Sequence, residues 1–203
     1  LQQPIKFGAD IVVHSATKLM DGQGRVLGGV AVGREDLIRE VYLFSRNTGP
    51  AMSPFNAWVL SKSLETLAIR VEKHSENALK VAEYLKQHPK VKWVNYAGLS
   101  DHPQHKLAQK YVKGKPSAIL SFGVQDGREG GTRFIDALQL FTRLVNIGDA
   151  KSLACHPATT THRQLNAEEL QSAGVSEDLV RLSVGIEHID DLIADLEQAL
   201  AQV

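Results

Sequence analysis

A lysine preceded by two hydroxyl side chains is the most chemically informative feature of the sequence. Lys18 ends the segment His-Ser-Ala-Thr-Lys, in which Ser15 and Thr17 come before it. A hydroxyl pair beside an amine can hold a phosphate group while the amine attacks a carbonyl carbon. This combination suits a phosphorylated aldehyde as ligand. From spacing alone, a solvated lysine that follows a strand remains the commoner alternative.

A second candidate is an arginine near the end of the chain. Arg181 alternates with Leu182 and Val184, so in a strand it points away from the face that holds the two apolar residues. A planar guanidinium binds a carboxylate through two parallel hydrogen bonds, which orients an amino acid better than a lysine does. From spacing alone, a surface ion pair with Glu177 or Asp178 is the commoner role.

The other nucleophile and metal-ligand candidates are expected to be structural. Cys155 and His156 are adjacent, and adjacent side chains in a strand point to opposite faces, so no hydrogen bond between them is expected. His156 and His162 lack a nearby cysteine or carboxylate cluster, so we expect no metal. A single cysteine excludes an intrachain disulfide and favours a reducing compartment, with the cytoplasm as the expected location.

The elements that position the lysine follow from the hydrophobic pattern. Ile11–Val13 form a continuous apolar run, which predicts a strand buried on both faces of a parallel sheet. Lys18 then lies past the carboxyl end of that strand, where open α/β sheets bind their ligands. Glycines in residues 20–25 predict a loop, 26–32 predict a second buried strand, and 34–44 an amphipathic helix.

A long helical pattern follows this first unit. Ser53 and Pro54 are typical of a helix start, and apolar residues then recur with a 3.6-residue period up to Pro89. A helix of this length is expected to bridge two domains or to bend once. Further along the chain, the predicted elements are strands at 91–96, 118–124 and 143–147 and helices at 103–111, 132–140 and 190–203.

Composition limits the classes of partner. Among 203 residues, lysine plus arginine and aspartate plus glutamate both total 23, so no net positive field attracts nucleic acid or anionic lipid. No apolar run approaches the roughly 20 residues needed to cross a bilayer. We therefore expect a soluble protein with no nucleic-acid partner and no membrane partner.

Six motifs spread over the chain resemble one enzyme family. In chain order they are GADIVVHSATK at 8–18, LGG at 27–29, SPFNAW at 53–58, SLETL at 63–67, KSLACHPATTTH at 151–162 and RLSVGIEH at 181–188. Together they are similar to the C-terminal half of the Cys/Met metabolism family of pyridoxal-phosphate-dependent enzymes, which includes cystathionine synthases and lyases and homoserine-ester sulfhydrylases.

The resemblance implies pyridoxal 5'-phosphate as the cofactor. It implies that Lys18 is the catalytic residue and is bound covalently to the cofactor, while Ser15 and Thr17 contact the cofactor's phosphate. A lysine released from such a link is placed to move protons on the substrate.

The resemblance also implies a substrate site. Arg181 would bind the α-carboxylate, Ser152 would lie near the lysine, and Thr161 near the carboxylate. From the residues alone, both hydroxyls are equally expected to be turn or strand-edge groups bonded to their own backbone.

The implied fold class is α/β, in three parts. Residues 1–52 would be the C-terminal part of the large pyridoxal-phosphate-binding domain of a fold-type I, aspartate aminotransferase-like transferase. Residues 53–90 would be linker helices, and 91–203 a small α+β domain. Strands without their sheet neighbours expose apolar edges, so we expect poor solubility or partial disorder in residues 1–50 of an isolated chain.

Two stretches favour a subgroup of the family. Gln23-Gly24-Arg25 and Asp149-Ala150-Lys151 are similar to homoserine-ester sulfhydrylases, the first stretch to those using the succinyl ester. The implied reaction is γ-replacement, which converts O-succinylhomoserine and sulfide to homocysteine and succinate in methionine biosynthesis. The implied assembly is a homotetramer built from dimers that share active sites. Alternatives are a cystathionine γ-synthase or γ-lyase, an O-acetylhomoserine sulfhydrylase, or a non-catalytic fragment that acts only in assembly.

Overall fold

Two sheets and seven α-helices make up the structure, a computed structural model that describes residues 1–203. The strands are β1 (Ile11–Ser15), β2 (Gly29–Gly33), β3 (Val91–Asn95), β4 (Ile119–Val124), β5 (Thr142–Arg143), β6 (Leu153–Cys155) and β7 (Leu179–Ser183). The helices are α1 (Glu35–Thr48), α2 (Pro54–Leu64), α3 (Leu67–Gln87), α4 (His105–Val112), α5 (Gly127–Ala137), α6 (Ala167–Ser172) and α7 (Ile189–Leu200).

The first sheet corrects one prediction from the sequence. It contains only β1 and β2, which pair antiparallel with Val13 opposite Ala31. The expected parallel sheet, buried on both faces, is therefore wrong for this chain, since the two strands are antiparallel and no further strand adjoins them. Apolar side chains stand in solvent as a result, and Val13 is 75% exposed. Apolar side chains of residues 1–50 are exposed as expected, and the poor solubility or partial disorder of this segment stays a prediction.

The long helical pattern is divided in two, as the bending alternative predicts. Ser53 caps α2 by accepting a hydrogen bond from Asn56 N at 3.1 Å, and Pro54 is its first residue. The helix stops before Thr66 because the carbonyl of Ser63 accepts hydrogen bonds from the Arg70 guanidinium and from Thr66 instead of continuing the α-helical ladder. This break turns the chain into α3.

The second sheet carries the main core. Its strand order is β3-β4-β7-β6-β5, antiparallel except for the parallel pair β5 and β6. Helices α3, α5 and α7 cover the face on which Leu120, Phe122 and Leu182 lie. A separate small cluster joins Ala16 and Val26 to α2. The three-part division of the chain remains a prediction, and these two clusters support it.

One predicted strand is shorter than expected, and this matters for the site. The apolar run at 143–147 continues β5 only through Arg143, and residues 144–147 form an irregular loop. Gly148, with φ +76°, follows this loop and packs against Leu19. The chain therefore leaves the sheet at this point and approaches the segment after β1. No helix in the chain combines the length and apolar character needed to cross a membrane.

Candidate active site

Lys18 lies in the turn that follows β1. Its Nζ donates a hydrogen bond to the side-chain oxygen of Asn146 at 2.7 Å, and the pair is partly buried. The two residues are 128 positions apart in sequence, so the contact joins the first sheet to the loop that follows β5. The amine is therefore held at the junction of the two halves of the chain.

Arg181 reaches the same loop from the central strand of the second sheet. β7 pairs Arg181 with Ser121 of β4 on one side and Cys155 of β6 on the other. The guanidinium donates to the backbone carbonyls of Val145 and Asn146. Its Nε is buried without a hydrogen-bond partner. An unused, inward-facing donor of this kind is suited to a ligand carboxylate.

The alternative ion pairs expected for Arg181 are wrong. Glu177 accepts from Arg128 at 3.2 Å, and Asp178 contacts Lys92 at 3.1 Å. Burial opposes ionisation of Asp178, but hydrogen bonds from the Ser176, Lys92 and Trp93 side chains hold its pKa below the usual value. Both carboxylates therefore pair with other cations, and Arg181 donates to the loop of Val145 and Asn146 instead.

Asn146 is the residue that sequence reasoning missed. Its side chain accepts from Lys18 and its carbonyl accepts from Arg181, so it links the two strongest candidates. The sequence does contain a signal for Asn146. This polar residue interrupts an apolar run shortly before Gly148, in the motif Asn-Ile-Gly-Asp at 146–149.

The two hydroxyls before Lys18 differ in their surroundings. Ser15 is exposed at the end of β1. Thr17 Oγ1 accepts a hydrogen bond from Gly28 N at 3.2 Å. It also lies 3.5 Å from the Gly28 carbonyl oxygen, and at this distance a hydrogen bond donated by the Thr17 hydroxyl is weak. Both hydroxyls therefore retain a proton that can be donated to an anionic group.

Ser152 does not have the position expected of a substrate ligand. Its side chain is fully buried, donates to Glu187 Oε2 at 3.0 Å, and accepts from Gly185 N at 2.7 Å. The Ser152 backbone N–H also donates to Glu187, at 2.6 Å. The hydroxyl is thus fully used in joining the start of β6 to the loop after β7, and the structure does not support direct contact with substrate.

Thr161 and the cysteine are also apart from the lysine. Thr161 is exposed, and its hydroxyl contacts His162 Nδ1 at 2.7 Å rather than Arg181. Cys155 is free and buried, and burial raises the pKa of its thiol. His156 bonds to Thr159 and to the Glu177 carbonyl, and burial lowers its pKa. The substrate-binding role implied for Thr161 stays a prediction.

The arrangement fits pyridoxal phosphate as a ligand. A lysine amine after a strand would meet the aldehyde, the free protons of Ser15 and Thr17 would meet the phosphate, and the orphaned Nε of Arg181 would meet an amino-acid carboxylate. A mixed α/β architecture with this site fits the class of pyridoxal-phosphate-dependent enzymes of fold type I.

Comparison with known proteins gives the family. The family model described as Cys/Met metabolism PLP-dependent enzyme matches residues 1–201. The chain belongs to this family. An O-succinylhomoserine sulfhydrylase of Pseudomonas aeruginosa is 50% identical over 201 residues, which are 99% of this chain and 50% of that protein. Other relatives include an O-acetyl-L-homoserine sulfhydrylase of Thermus thermophilus and an L-methionine gamma-lyase of Pseudomonas putida.

Solved structures of the same fold agree with this assignment. A crystal structure of an O-acetylhomoserine (thiol)-lyase from Campylobacter jejuni, which contains a pyridoxyl-lysine monophosphate, matches with a TM-score of 0.91 and 42% identity over 99% of this chain and 56% of that one. A cystathionine gamma synthase from Xanthomonas oryzae matches with a TM-score of 0.93 and 39% identity over 100% of this chain and 52% of that one. The chain spans about half the length of the relatives it matches.

Proposed function

We propose that the whole protein catalyses a pyridoxal-phosphate-dependent γ-replacement, in which sulfide displaces succinate from O-succinylhomoserine to give homocysteine. The observation that carries the proposal is the convergence of Lys18 and Arg181 on Asn146. An amine and a carboxylate-binding group held by one loop are what an amino-acid substrate requires at its reacting carbon.

Each candidate residue has a distinct task in this proposal. When bound, pyridoxal phosphate supplies an electron sink for the substrate's carbons. Lys18 holds the cofactor covalently and, once released, removes and returns protons at Cα and Cβ. Ser15 and Thr17 donate hydrogen bonds to the phosphate. Arg181 binds the α-carboxylate with its free guanidinium edge.

The choice of the succinyl ester rests on likeness. The relative with 50% identity is an O-succinylhomoserine sulfhydrylase, whereas the O-acetyl-L-homoserine sulfhydrylase of Thermus thermophilus is 44% identical. The loop at Gln23-Gly24-Arg25 supports the same choice. A sulfhydrylase that uses the acetyl ester is the second candidate, since two O-acetyl-L-homoserine sulfhydrylases are 44% and 43% identical to this chain.

The assembly and location are parts of the same proposal. Apolar side chains exposed on residues 1–60, among them Val13, Phe44 and Trp58, support a homo-oligomer in which subunits and the remaining half of the protein cover this surface. We propose a homotetramer built from dimers that share active sites, located in the cytoplasm. The 203-residue chain alone is expected to be inactive because it supplies only part of the cofactor site.

Trapping the cofactor on Lys18 tests the proposed function. Full-length protein with pyridoxal phosphate is treated with borohydride and digested, and we expect a pyridoxyl label on the peptide that contains Lys18. Lys18→Ala should lose the label and the visible absorbance of the bound cofactor, whereas Lys6→Ala, a change at an exposed lysine, should keep both. A label on any other lysine of active enzyme would overturn the assignment.

Product analysis tests the reaction itself. The full-length enzyme is mixed with sulfide and either O-succinylhomoserine or O-acetylhomoserine, and homocysteine is measured. Faster formation from the succinyl ester is the expected result. Formation of cystathionine alone, and only when cysteine is added, would show that the protein is a cystathionine synthase instead.

A further inference from the structure

The turn that contains Lys18 is held by an unusual set of donors. Each backbone carbonyl from Lys18 to Gly22 accepts a hydrogen bond, and each bond has its own donor atom. The donors are Gly22 N for Lys18, Arg70 Nη1 for Leu19, Arg70 Nη2 for Met20, Arg25 Nη2 for Asp21 and Ala150 N for Gly22. No carbonyl of the turn is left to solvent, so its shape is fixed from several sides.

Arg70 supplies two of these bonds from the first turn of α3. The residue is only 6% exposed. Its Nη1 lies 2.8 Å from the Leu19 carbonyl, and its Nη2 lies 3.2 Å from the Met20 carbonyl and 3.0 Å from the Ser63 carbonyl. Its Nε donates to the Thr66 hydroxyl at 3.2 Å. The guanidinium therefore ties the break between α2 and α3 to the residues directly after Lys18.

A planar guanidinium is required by the shape of this site. A Cβ atom on Gly22, whose φ is +69°, would lie 2.1 Å from Arg70 Nη1, so the glycine leaves the space that the guanidinium fills. The four acceptors lie in different directions around the group, and an ammonium cannot reach them all from one point. A buried acid, Asp21, pairs with Arg25 beside the turn and offsets the positive charge there.

The opposite side of the turn is held by the loop that carries Asn146. Ala150 N donates to the Gly22 carbonyl at 2.7 Å, and Asn146 accepts from Lys18 Nζ. The direction of the Lys18 side chain thus depends on a turn fixed between α3 and this loop. If Arg70 no longer held the turn, the Lys18 side chain could move its amine away from Asn146.

We propose that Arg70 is a positioning residue for Lys18: its guanidinium fixes the turn so that the amine faces the loop of Asn146 and Arg181 before the cofactor arrives. This inference rests on the proposed function, in which Lys18 Nζ condenses with the cofactor aldehyde and releases one water. Arg70 itself touches neither cofactor nor substrate.

The rate of cofactor attachment tests the proposal. Full-length apoprotein is mixed with pyridoxal phosphate, and the visible absorbance of the lysine-bound cofactor is followed over time, with the folded fraction measured by circular dichroism. In Arg70→Lys, loss of the forked contacts should slow attachment roughly tenfold at an unchanged folded fraction. Arg133→Lys, a change at a partly exposed arginine of α5 that also donates to a carbonyl, should attach at the unmodified rate.

Chemical rescue separates positioning from a general structural role. In Arg70→Ala, millimolar guanidinium should restore much of the attachment rate, whereas the same concentration of ammonium should not. Attachment at the unmodified rate in folded Arg70→Lys would overturn the proposal, as would equal effects of the two cations. If Arg70→Lys does not fold, Thr66→Val removes the acceptor of Arg70 Nε, together with the hydroxyl's own bond to the Ser63 carbonyl, and unchanged attachment in that variant would overturn the proposal.

Borohydride trapping and the attachment rates together distinguish failure of the proposed function from failure of the role of Arg70. If unmodified protein gives no borohydride-trapped label on Lys18, the proposed role of Lys18 fails, and this proposal fails with it. If unmodified protein is labelled on Lys18 and the Arg70 variants attach at its rate, only the positioning role of Arg70 fails.

Discussion

At the scale of single residues, the site is built around one asparagine. Lys18 and Arg181 come from different sheets, and each is directed by a contact with Asn146. The motifs of the sequence identified the lysine and the arginine because each has a characteristic neighbour pattern. They did not identify Asn146, whose importance depends on two contacts made across long stretches of chain.

A substitution of Ser152 separates a structural role from a ligand role. Ser152→Ala removes the acceptor of the buried Gly185 N–H and a donor to the partly buried Glu187 carboxylate. We expect the free energy of unfolding to fall by about 1–3 kcal/mol, since the buried Gly185 N–H is left without a partner. Denaturant titration checks this, with exposed Ser172→Ala as the control. A raised KM for the substrate with unchanged stability would restore Ser152 as a ligand.

At the scale of elements, helix α3 connects the two parts of the site. Its first turn holds the Lys18 turn through Arg70, and one turn later His74 Nδ1 lies 2.6 Å from the Val184 carbonyl. Asn77 then donates to the carbonyls of Gly185 and Glu187. The start of this helix was not predicted from the sequence because the apolar period runs through Glu65 and Thr66 without interruption.

Buried His74 makes stability depend on pH. Since a carbonyl only accepts, Nδ1 carries the proton and the ring is neutral, with Nε2 buried and unpartnered. Burial, with the nearby Arg70 charge, lowers the pKa of His74 below its ordinary 6.5. The unfolded chain therefore binds this proton at a higher pH than the folded protein does. Stability should be retained above about pH 6.5 and lost as the pH falls below it, by at most about 1.4 kcal/mol per pH unit for the group.

Measuring the free energy of unfolding from about pH 7.5 down to about pH 5.5 checks this dependence. His74→Gln should flatten the slope, because glutamine does not titrate. His102→Gln, a change at a partly exposed histidine of the 99–105 turn, should keep the slope of the unmodified protein. The explanation fails if His74→Gln and unmodified protein lose stability in parallel.

At the scale of the whole molecule, the two sheets differ in how completely they are covered. The five-stranded sheet has a core of buried residues under three helices, whereas β1 and β2 have little cover beyond α2. Helix α1 has no buried residue at all. The candidate site thus lies where a well-packed body meets a body with little buried surface of its own.

Hydrogen exchange should reveal this difference in the isolated 203-residue chain. Amides of β1, β2 and α1 should exchange much faster than those of β4 and β7, because they are close to solvent and make few tertiary contacts. In the full-length protein the same amides should become protected. Equal protection of the first sheet and the second sheet in the isolated chain would contradict the expectation.

The sequence by itself indicated the chemistry and the fold class through its resemblance to a known family. The residue types of His-Ser-Ala-Thr-Lys allow a phosphorylated aldehyde as ligand but also suit a solvated lysine, and only the six motifs together favoured the first; hydrophobic periods indicated most of the strands and helices. Tertiary structure alone decided which groups meet. Asn146 at Lys18, Arg70 at Leu19 and Met20, and Glu187 at Ser152 are contacts between residues 35 to 128 positions apart, which no local pattern encodes. Burial of β1 also depends on neighbouring layers, and for this reason an apolar strand pattern predicted a core position that the chain leaves in solvent.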